Sequence, residues 1–314
     1  MDNNNISIVS LGGNAILRRG ERGTIEEQFK NADSCMAEVA RILSTGRKMV
    51  ITHGNGPIVG NIVIRSEWAR NTIPPMPLYY SDADSEGGIG FMIQQTLYNR
   101  LMAIHEVKDV VTIITQVVVD QRDPAFALPT KPIGPYYSKE DAEILQKEKG
   151  WVLTEQIGGY RRVVPSPMPI RIVEKEVIKR LALEDVVVIA AGGGGVPVVE
   201  TQEGILCGID AVIDKDLSTS VLATEIGAES IIILTDVDMV YLNFNKAGQK
   251  GLQNVNLQET RRYYEEGHFP PGSMGPKIEA AIRFLEAGGK HVIITLPELM
   301  GEALEGKAGT VIIP

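Results

Sequence analysis

The sequence predicts an α/β fold, a mostly parallel sheet with helices on both faces. Three observations predict it. Short β-branched runs alternate with longer amphipathic stretches, which is the pattern of repeated βαβ units. The short runs are too apolar to face water on either side, as strands between two helical layers must be. Three glycine clusters, Gly12-Gly13, Gly54-Asn55-Gly56 and Gly192 to Gly195, each follow an apolar run. They fall where strands end and helices begin, the edge at which open α/β sheets bind ligands.

Taken in order, the strand candidates are Ile6–Leu11, Lys48–Thr52, Val110–Val119, Val186–Ala191, Ser230–Leu234, His291–Thr295 and Thr310–Ile313. Each is a Val/Ile-rich run bounded by turn residues. The helix candidates are Thr24–Ser44, Gly90–His105, Val173–Leu183, Ser218–Ile226, Leu257–Gly267 and Pro276–Ala287. Two stretches break the alternation. Asp120 to Pro169 is rich in proline and polar residues and predicts an excursion, with a short hairpin or a helix over Lys139–Lys149. Ser66–Gly88 predicts a loop, and its acidic run Ser81 to Glu86 a solvated loop or helix cap, because it lacks the ligand spacing of a calcium loop.

Composition narrows the function. The chain has 314 residues, is 44% apolar and carries a formal net charge of −9. That balance argues against nucleic acid or an anionic membrane as partner, while a few local lysines can still serve an anionic substrate. Cys35 and Cys207 show no metal spacing and read as buried or bystander thiols. The polar start, Met1 to Asn5, lacks the basic segment of a secretory signal. No apolar run approaches the ~20 residues that span a bilayer. The expected location is a reducing cytoplasm.

The chemistry lies in glycines and lysines. Backbone without Cβ atoms, placed before a helix, can wrap an anion with its N–H groups. Asp214-Lys215-Asp216 places a lysine between two acids that would orient its ammonium. Lys277 follows Gly275-Pro276 in the first turn of a helix, where the dipole disfavours a cation unless an anion binds beside it. Lys131 is held between prolines at the excursion's tip. Glycine cradles with three positioned lysines suit phosphoryl transfer, which needs positive charge around the moving group more than a nucleophilic side chain. His53, ahead of a glycine cluster, is a candidate ligand contact. The chain has no P-loop, no nucleophile elbow and no completed dinucleotide fingerprint.

These pieces, in this order, resemble the carbamate kinases of the amino-acid kinase superfamily. The matching stretches include Leu11 to Ala15, Thr52 to Pro57, Asp123 to Phe126, Pro129 to Pro135, Arg162 to Pro167, Gly192 to Gly195, Ala211 to Asp216, Leu234 to Val237 and Gly272 to Lys277. The resemblance implies a three-layer αβα sandwich with a small protruding subdomain, matched to about 120–169. It implies an N-terminal lobe (1–208) for the small substrate and a C-terminal lobe (209–314) for the nucleotide. The implied reaction is reversible: carbamoyl phosphate and ADP give carbamate and ATP, with Mg²⁺. By the same resemblance Gly12, Gly13 and Asn14 cradle the transferring group, and Gly54 and Asn55 hold the carbamate end. Lys131, Lys215 and Lys277 surround the phosphates, and Asp216 orients the lysines. Thr235, Asp236, Val237, Tyr241 and Met274 lie near the nucleotide, and the protein is a homodimer. Three stretches depart from the family pattern: Ile58 replaces a glutamine, Tyr79 to Gly87 replaces Asp-Val-Cys-x-Ala-Met-Ser-Gln-Gly, and Ile157 to Arg161 lacks the first arginine of Gly-Arg-Gly-Trp-Arg. The alternative readings are a relative acting on another small carboxylate-like acceptor, and an inactive nucleotide-binding paralogue.

Overall fold

A computed structural model describes residues 5–18, 20–156 and 158–314, with Asn14 described through its backbone alone. The strands are β1 (Ile6–Leu11), β2 (Lys48–His53), β3 (Val110–Thr112), β4 (Gln116–Val119), β5 (Lys131–Tyr137), β6 (Val152–Gln156), β7 (Gly159–Val164), β8 (Pro169–Ile172), β9 (Val187–Ile189), β10 (Val196–Glu200), β11 (Leu206–Gly208), β12 (Ser230–Leu234), β13 (Val240–Leu242), β14 (Lys250–Leu252), β15 (Asn254–Asn256), β16 (His291–Thr295) and β17 (Thr310–Ile313). The helices are α1 (Ile25–Leu43), α2 (Gly56–Ala69), α3 (Leu78–Ala103), α4 (Lys139–Lys149), α5 (Lys175–Leu183), α6 (Lys215–Ile226), α7 (Leu257–Glu265), α8 (Met274–Glu286) and α9 (Met300–Leu304).

β1 shows why the sheet forms. All six of its residues are buried, so it must lie between other strands and between two helical layers. It pairs in parallel with β2 on one side and β12 on the other. The whole sheet runs β15-β17-β16-β12-β1-β2-β9-β3, and of its pairings only β16 with β17 is antiparallel. Side chains alternate across it. Ile6 and Ile8 pack with α5, α6 and α8. Val9 and Leu11 face the other way, onto α1, α3 and α9. The expected three layers are therefore present. Four of the eight strands precede residue 208 and four follow it, so the sheet runs without a break across the expected lobe boundary.

The excursion is a subdomain. β5, β7 and β6 form a three-stranded antiparallel sheet with α4 beside it. It rests on α2 at a close backbone contact, where a Cβ added to Gly60 would fall 2.2 Å from Gly134 Cα.

Three expectations need correction. Val110–Val119 is not one strand: the chain leaves the main sheet after Thr112, and β4 joins β11-β10-β4-β8. Thr115 makes the break, its N–H donating to Glu86 and its hydroxyl to the Ile113 carbonyl. Ser66–Gly88 is not a loop: α2 continues to Ala69 and α3 begins at Leu78. The start of α3 is capped from a distance, because Asp210 Oδ1 accepts from the Leu78 and Tyr79 N–H groups at 2.8 and 3.4 Å. No local capping residue announces that start. The acidic run is a helical face and only partly solvated: Ser81, Asp82, Ser85 and Glu86 are buried, and Asp84 is exposed.

Candidate functional site

The site grows from the carboxyl ends of neighbouring strands. β1 ends at Leu11, paired with His53 of β2 on one side and Leu234 of β12 on the other. The chain must turn sharply beyond each strand. Gly12 donates its N–H to the Leu234 carbonyl at 3.0 Å, and a Cβ there would fall 2.9 Å from that oxygen. Only glycine permits the approach. Gly13 opens a single 3₁₀ turn and is exposed; the N–H groups of such a turn's start have no partner within it. The Asn14 side chain lies outside the described residues. Gly54 donates to the Leu11 carbonyl at 3.1 Å and faces the Lys215 side chain, which binds the first two glycine turns together.

Opposite these turns stands the lysine cluster. Asp214 caps α6, its Oδ1 accepting from the Asp216 and Leu217 N–H groups at 2.9 and 3.4 Å. Its other oxygen accepts from Lys131 Nζ at 2.6 Å, so the subdomain reaches the main body here. Lys215 Nζ donates to Asp216 Oδ1 at 2.5 Å and to Ser10 Oγ at 2.9 Å. Lys277 Nζ donates to Asp216 Oδ2 at 3.1 Å. One carboxylate thus holds two ammoniums, and Asp214, two residues before it, holds the third. Burial opposes charge on Asp216, but the two ammoniums overcome it and hold the carboxyl well below the usual range. Lys277 is raised despite burial, because Asp216 favours its cation. Lys215 is lowered, burial and Lys277 together outweighing its two aspartates. The cluster retains positive charge beyond what Asp216 neutralises, directed at the glycine turns.

A cavity of about 840 Å³ opens from this cluster, large enough for a nucleotide. Gly12, Gly13, Lys215 and Lys277 line its polar end. Thr235, Asp236, Val237, Tyr241 and Met274 are also among its lining residues, as are Phe244 and Phe269. The Tyr241 and Phe244 rings lie 5.9 Å apart, and the Tyr241 hydroxyl donates to Asp238 at 2.9 Å. This end offers an apolar, aromatic wall to a flat ring. Lys131, Gly54 and Asn55 do not line this cavity; they stand on the β2 and subdomain side of the cluster.

The third glycine cluster is not an anion cradle. Gly192 to Gly195 are buried. The Gly192 N–H donates to Glu86, and those of Gly194 and Gly195 close turns onto Ala191 and Gly192. Absent Cβ atoms here allow close packing. A Cβ on Gly192 would fall 2.3 Å from His53 Nε2, one on Gly193 2.3 Å from Asn55 Nδ2, and one on Gly194 2.4 Å from the Ile213 carbonyl. His53 therefore lies beneath the site rather than in it. It is fully buried, and Nδ1 sits 3.1 Å from the Gly54 carbonyl. Burial pushes its pKa down to about 4, with Lys215 adding to the fall against the Gly54 carbonyl. Asn55 points inward too, its amide donating to Asp82 and Ser85 at 3.1 and 3.0 Å. Sequence reasoning missed Asp82 and Glu86. The signal available was their spacing of four, which puts both on one helix face with Ile89 and Ile93.

A cleft at the carboxyl ends of a parallel sheet, an aromatic wall at one end and buried lysines at the other define an enzyme of the phosphoryl-transfer class. The chain belongs to the amino acid kinase family, whose family model matches residues 5–296. It is 49% identical over 310 residues to the carbamate kinase of Pyrococcus horikoshii, covering 98% of each chain. It is equally similar, at 49% identity and 98% of each chain, to the carbamate kinase-like protein YahI of Escherichia coli. Among solved structures, carbamate kinase from Giardia lamblia bound to AMP-PNP superposes with a TM-score of 0.93 at 42% identity, covering 100% of this chain and 99% of that one.

Proposed function

We propose that the protein transfers a phosphoryl group reversibly between carbamoyl phosphate and ADP, giving carbamate and ATP. The observation that carries this reading is the pair of ammoniums, Lys215 and Lys277, held on the single buried carboxylate of Asp216 across from Gly12 and Gly13. In the ATP-forming direction a β-phosphate oxygen of ADP attacks phosphorus. The bond from phosphorus to the carbamoyl oxygen breaks, and its electron pair leaves on carbamate. The attacking oxygen is already ionised, so no general base is needed, and no covalent enzyme intermediate forms. Charge spreads over the transferring oxygens, and the lysines and the Gly12–Gly13 turn stabilise it there. Lys131 completes the ring of charge from the subdomain side. Names borne by the relatives support carbamate as the acceptor.

Mg²⁺ belongs to this reading as a passenger on the nucleotide. No group of three or more His, Cys, Asp or Glu side chains gathers among the described residues. Asp214 and Asp216 are committed to lysines and a helix start. Thr235 Oγ1 and Asp236 Oδ1, 3.2 Å apart on the cavity wall, are the oxygens that would meet the hydrated ion. That fits a cation held chiefly by phosphate and water. When bound it neutralises phosphate charge.

A homodimer is part of the proposal. The outward face of α3 presents Tyr80, Phe91, Tyr98 and Met102, all about half exposed. Their spacing places them on one stripe. β3, beside it, is the open edge of the main sheet. No helix among the described residues is long and apolar enough to cross a membrane.

Coupled measurement of ATP from ADP and carbamoyl phosphate, with and without Mg²⁺, tests the reading. Turnover that depends on both substrates and the metal is expected; none with carbamoyl phosphate removes it. One observation favours a second reading, an enzyme using another small carboxylate-like acceptor: a relative as similar as the carbamate kinases is named only carbamate kinase-like. A panel of small acids with ATP separates the two.

A further inference from the structure

We propose that Asp82 and Glu86, one turn apart on the buried face of α3, are positioning residues that set the acceptor end of the site. The inference rests on the phosphoryl-transfer reading above. Two buried carboxyls inside a helix are costly, and apolar residues would pack the same space more cheaply. What apolar residues could not supply here is a set of acceptors. Glu86 accepts from the Thr115 N–H at 3.1 Å and, through its other oxygen, from the Gly192 N–H at 2.8 Å. Asp82 Oδ1 accepts from the Asn55 amide at 3.1 Å, and Ser85 Oγ shares that donor at 3.0 Å. One face of α3 thereby ties down the break between β3 and β4, the third glycine cluster and the second.

From Gly192 the constraint passes on by contact. Gly192 packs on the His53 ring, Gly193 on the Asn55 amide and Gly194 on the Ile213 carbonyl. His53 and Asn55 flank Gly54. Ile213 precedes Asp214, where Lys131 is anchored and α6 begins. A shift of Gly192 therefore reaches the Gly54 turn and the lysine cluster together. The polar atoms left without partners point to the same place. Three buried side-chain atoms among the described residues lack one, and two of them, His53 Nε2 and Asp82 Oδ2, belong to this bracket. Buried polar atoms without a partner are uncommon, and a positional constraint is one of their causes. The nucleotide wall is built elsewhere, from Thr235 to Tyr241 and α8, on the far side of β1 from α3's anchors.

The test is a split between Michaelis constants. Glu86→Gln presents an amide to two N–H donors, so one of them loses its acceptor. Asp82→Ala leaves the Asn55 amide with Ser85 Oγ alone, whereas Asp82→Asn keeps a second oxygen for it. For Glu86→Gln and Asp82→Ala, KM for carbamoyl phosphate is expected to rise about tenfold or more, with KM for ADP within about twofold of the wild type. Asp82→Asn is expected to restore most of the loss. If Glu86→Gln does not fold, Ser85→Ala and Asp82→Ala carry the test. Unchanged KM values for both substrates, or a parallel rise in both, would overturn the inference. A wild-type enzyme inert with carbamoyl phosphate would instead refute the reading it rests on.

Discussion

Asp216 carries one carboxylate between two ammoniums in a place where burial disfavours all three charges. Removing one partner of such a set leaves the rest uncompensated, at a cost of about 3–5 kcal/mol. Asp216→Asn should therefore lower stability, and it should also lower the pKa of Lys215, which burial already depresses and Asp216 supports. The alkaline limb of its pH–rate profile is expected to move to lower pH; an unmoved limb would show that the carboxylate does not hold the lysine's charge. A second titration lies below the site. Glu86 has its pKa pushed up by burial to about 8, against the N–H groups of Thr115 and Gly192. The folded state thus keeps a proton that the unfolded chain releases near 4.5, and stability from this group is lost as pH rises between the two values. His53 acts in the opposite sense, its contribution lost as pH falls from 6.5 towards about 4. Above pH 6.5 only Glu86 of this pair still titrates. Burial raises the Asp82 carboxyl as well, in the same sense; Glu86 alone should lower the unfolding free energy from urea denaturation by about 2 kcal/mol between pH 6.5 and 8, and Glu86→Gln should reduce that slope without abolishing it.

At the scale of elements, the subdomain and α2 meet where two backbones touch at Gly60 and Gly134. Gly60→Ala cannot be absorbed by a side-chain rotation, so the subdomain must lift and carry Lys131 away from Asp214. Turnover is expected to fall by about tenfold or more while AMP-PNP affinity, measured by calorimetry, stays near that of the wild type. Equal losses in both would mean that the subdomain supports the whole cleft. The same elements show what was legible in the sequence. β1, β2, β12, β16 and β17 were expected at their places because strands buried along most of their length are rich in apolar residues. The start of α3 was hidden because its cap, Asp210, lies more than a hundred residues away in the chain. Its acids resemble a solvated run until the partners are known. Local composition cannot reveal that Glu86 faces Thr115 and Gly192, both brought there by tertiary pairing. The lysines were legible because Asp-Lys-Asp and Pro-Lys are unusual settings for a cation. The third glycine cluster was misjudged as a cradle because the same lack of Cβ atoms serves anion binding and close packing equally.

For the whole molecule, the continuous sheet places the Thr235–Tyr241 wall of the cavity on one side of β1 and the Gly54 turn on the other, with the lysine cluster between them. That arrangement needs no domain closure to bring the charges together, since the three ammoniums already share the Asp214–Asp216 segment. The exposed stripe on α3 belongs to this scale too. Phe91→Glu with Tyr98→Glu places charge in the face proposed to pair with a second copy. Light scattering should report a dimer for the wild type and a monomer for the double variant; a monomeric wild type would remove the homodimer.

The proposed phosphoryl transfer depends on ammoniums acting on the transferring group. The most direct measurement is the initial rate of ATP formation from ADP and carbamoyl phosphate by Lys277→Ala and Lys215→Ala, with folding checked by circular dichroism. Folded variants with turnover reduced on the order of 10²–10³ are predicted, by analogy with loss of one oxyanion donor. Near-normal ATP formation by either folded variant would contradict the account.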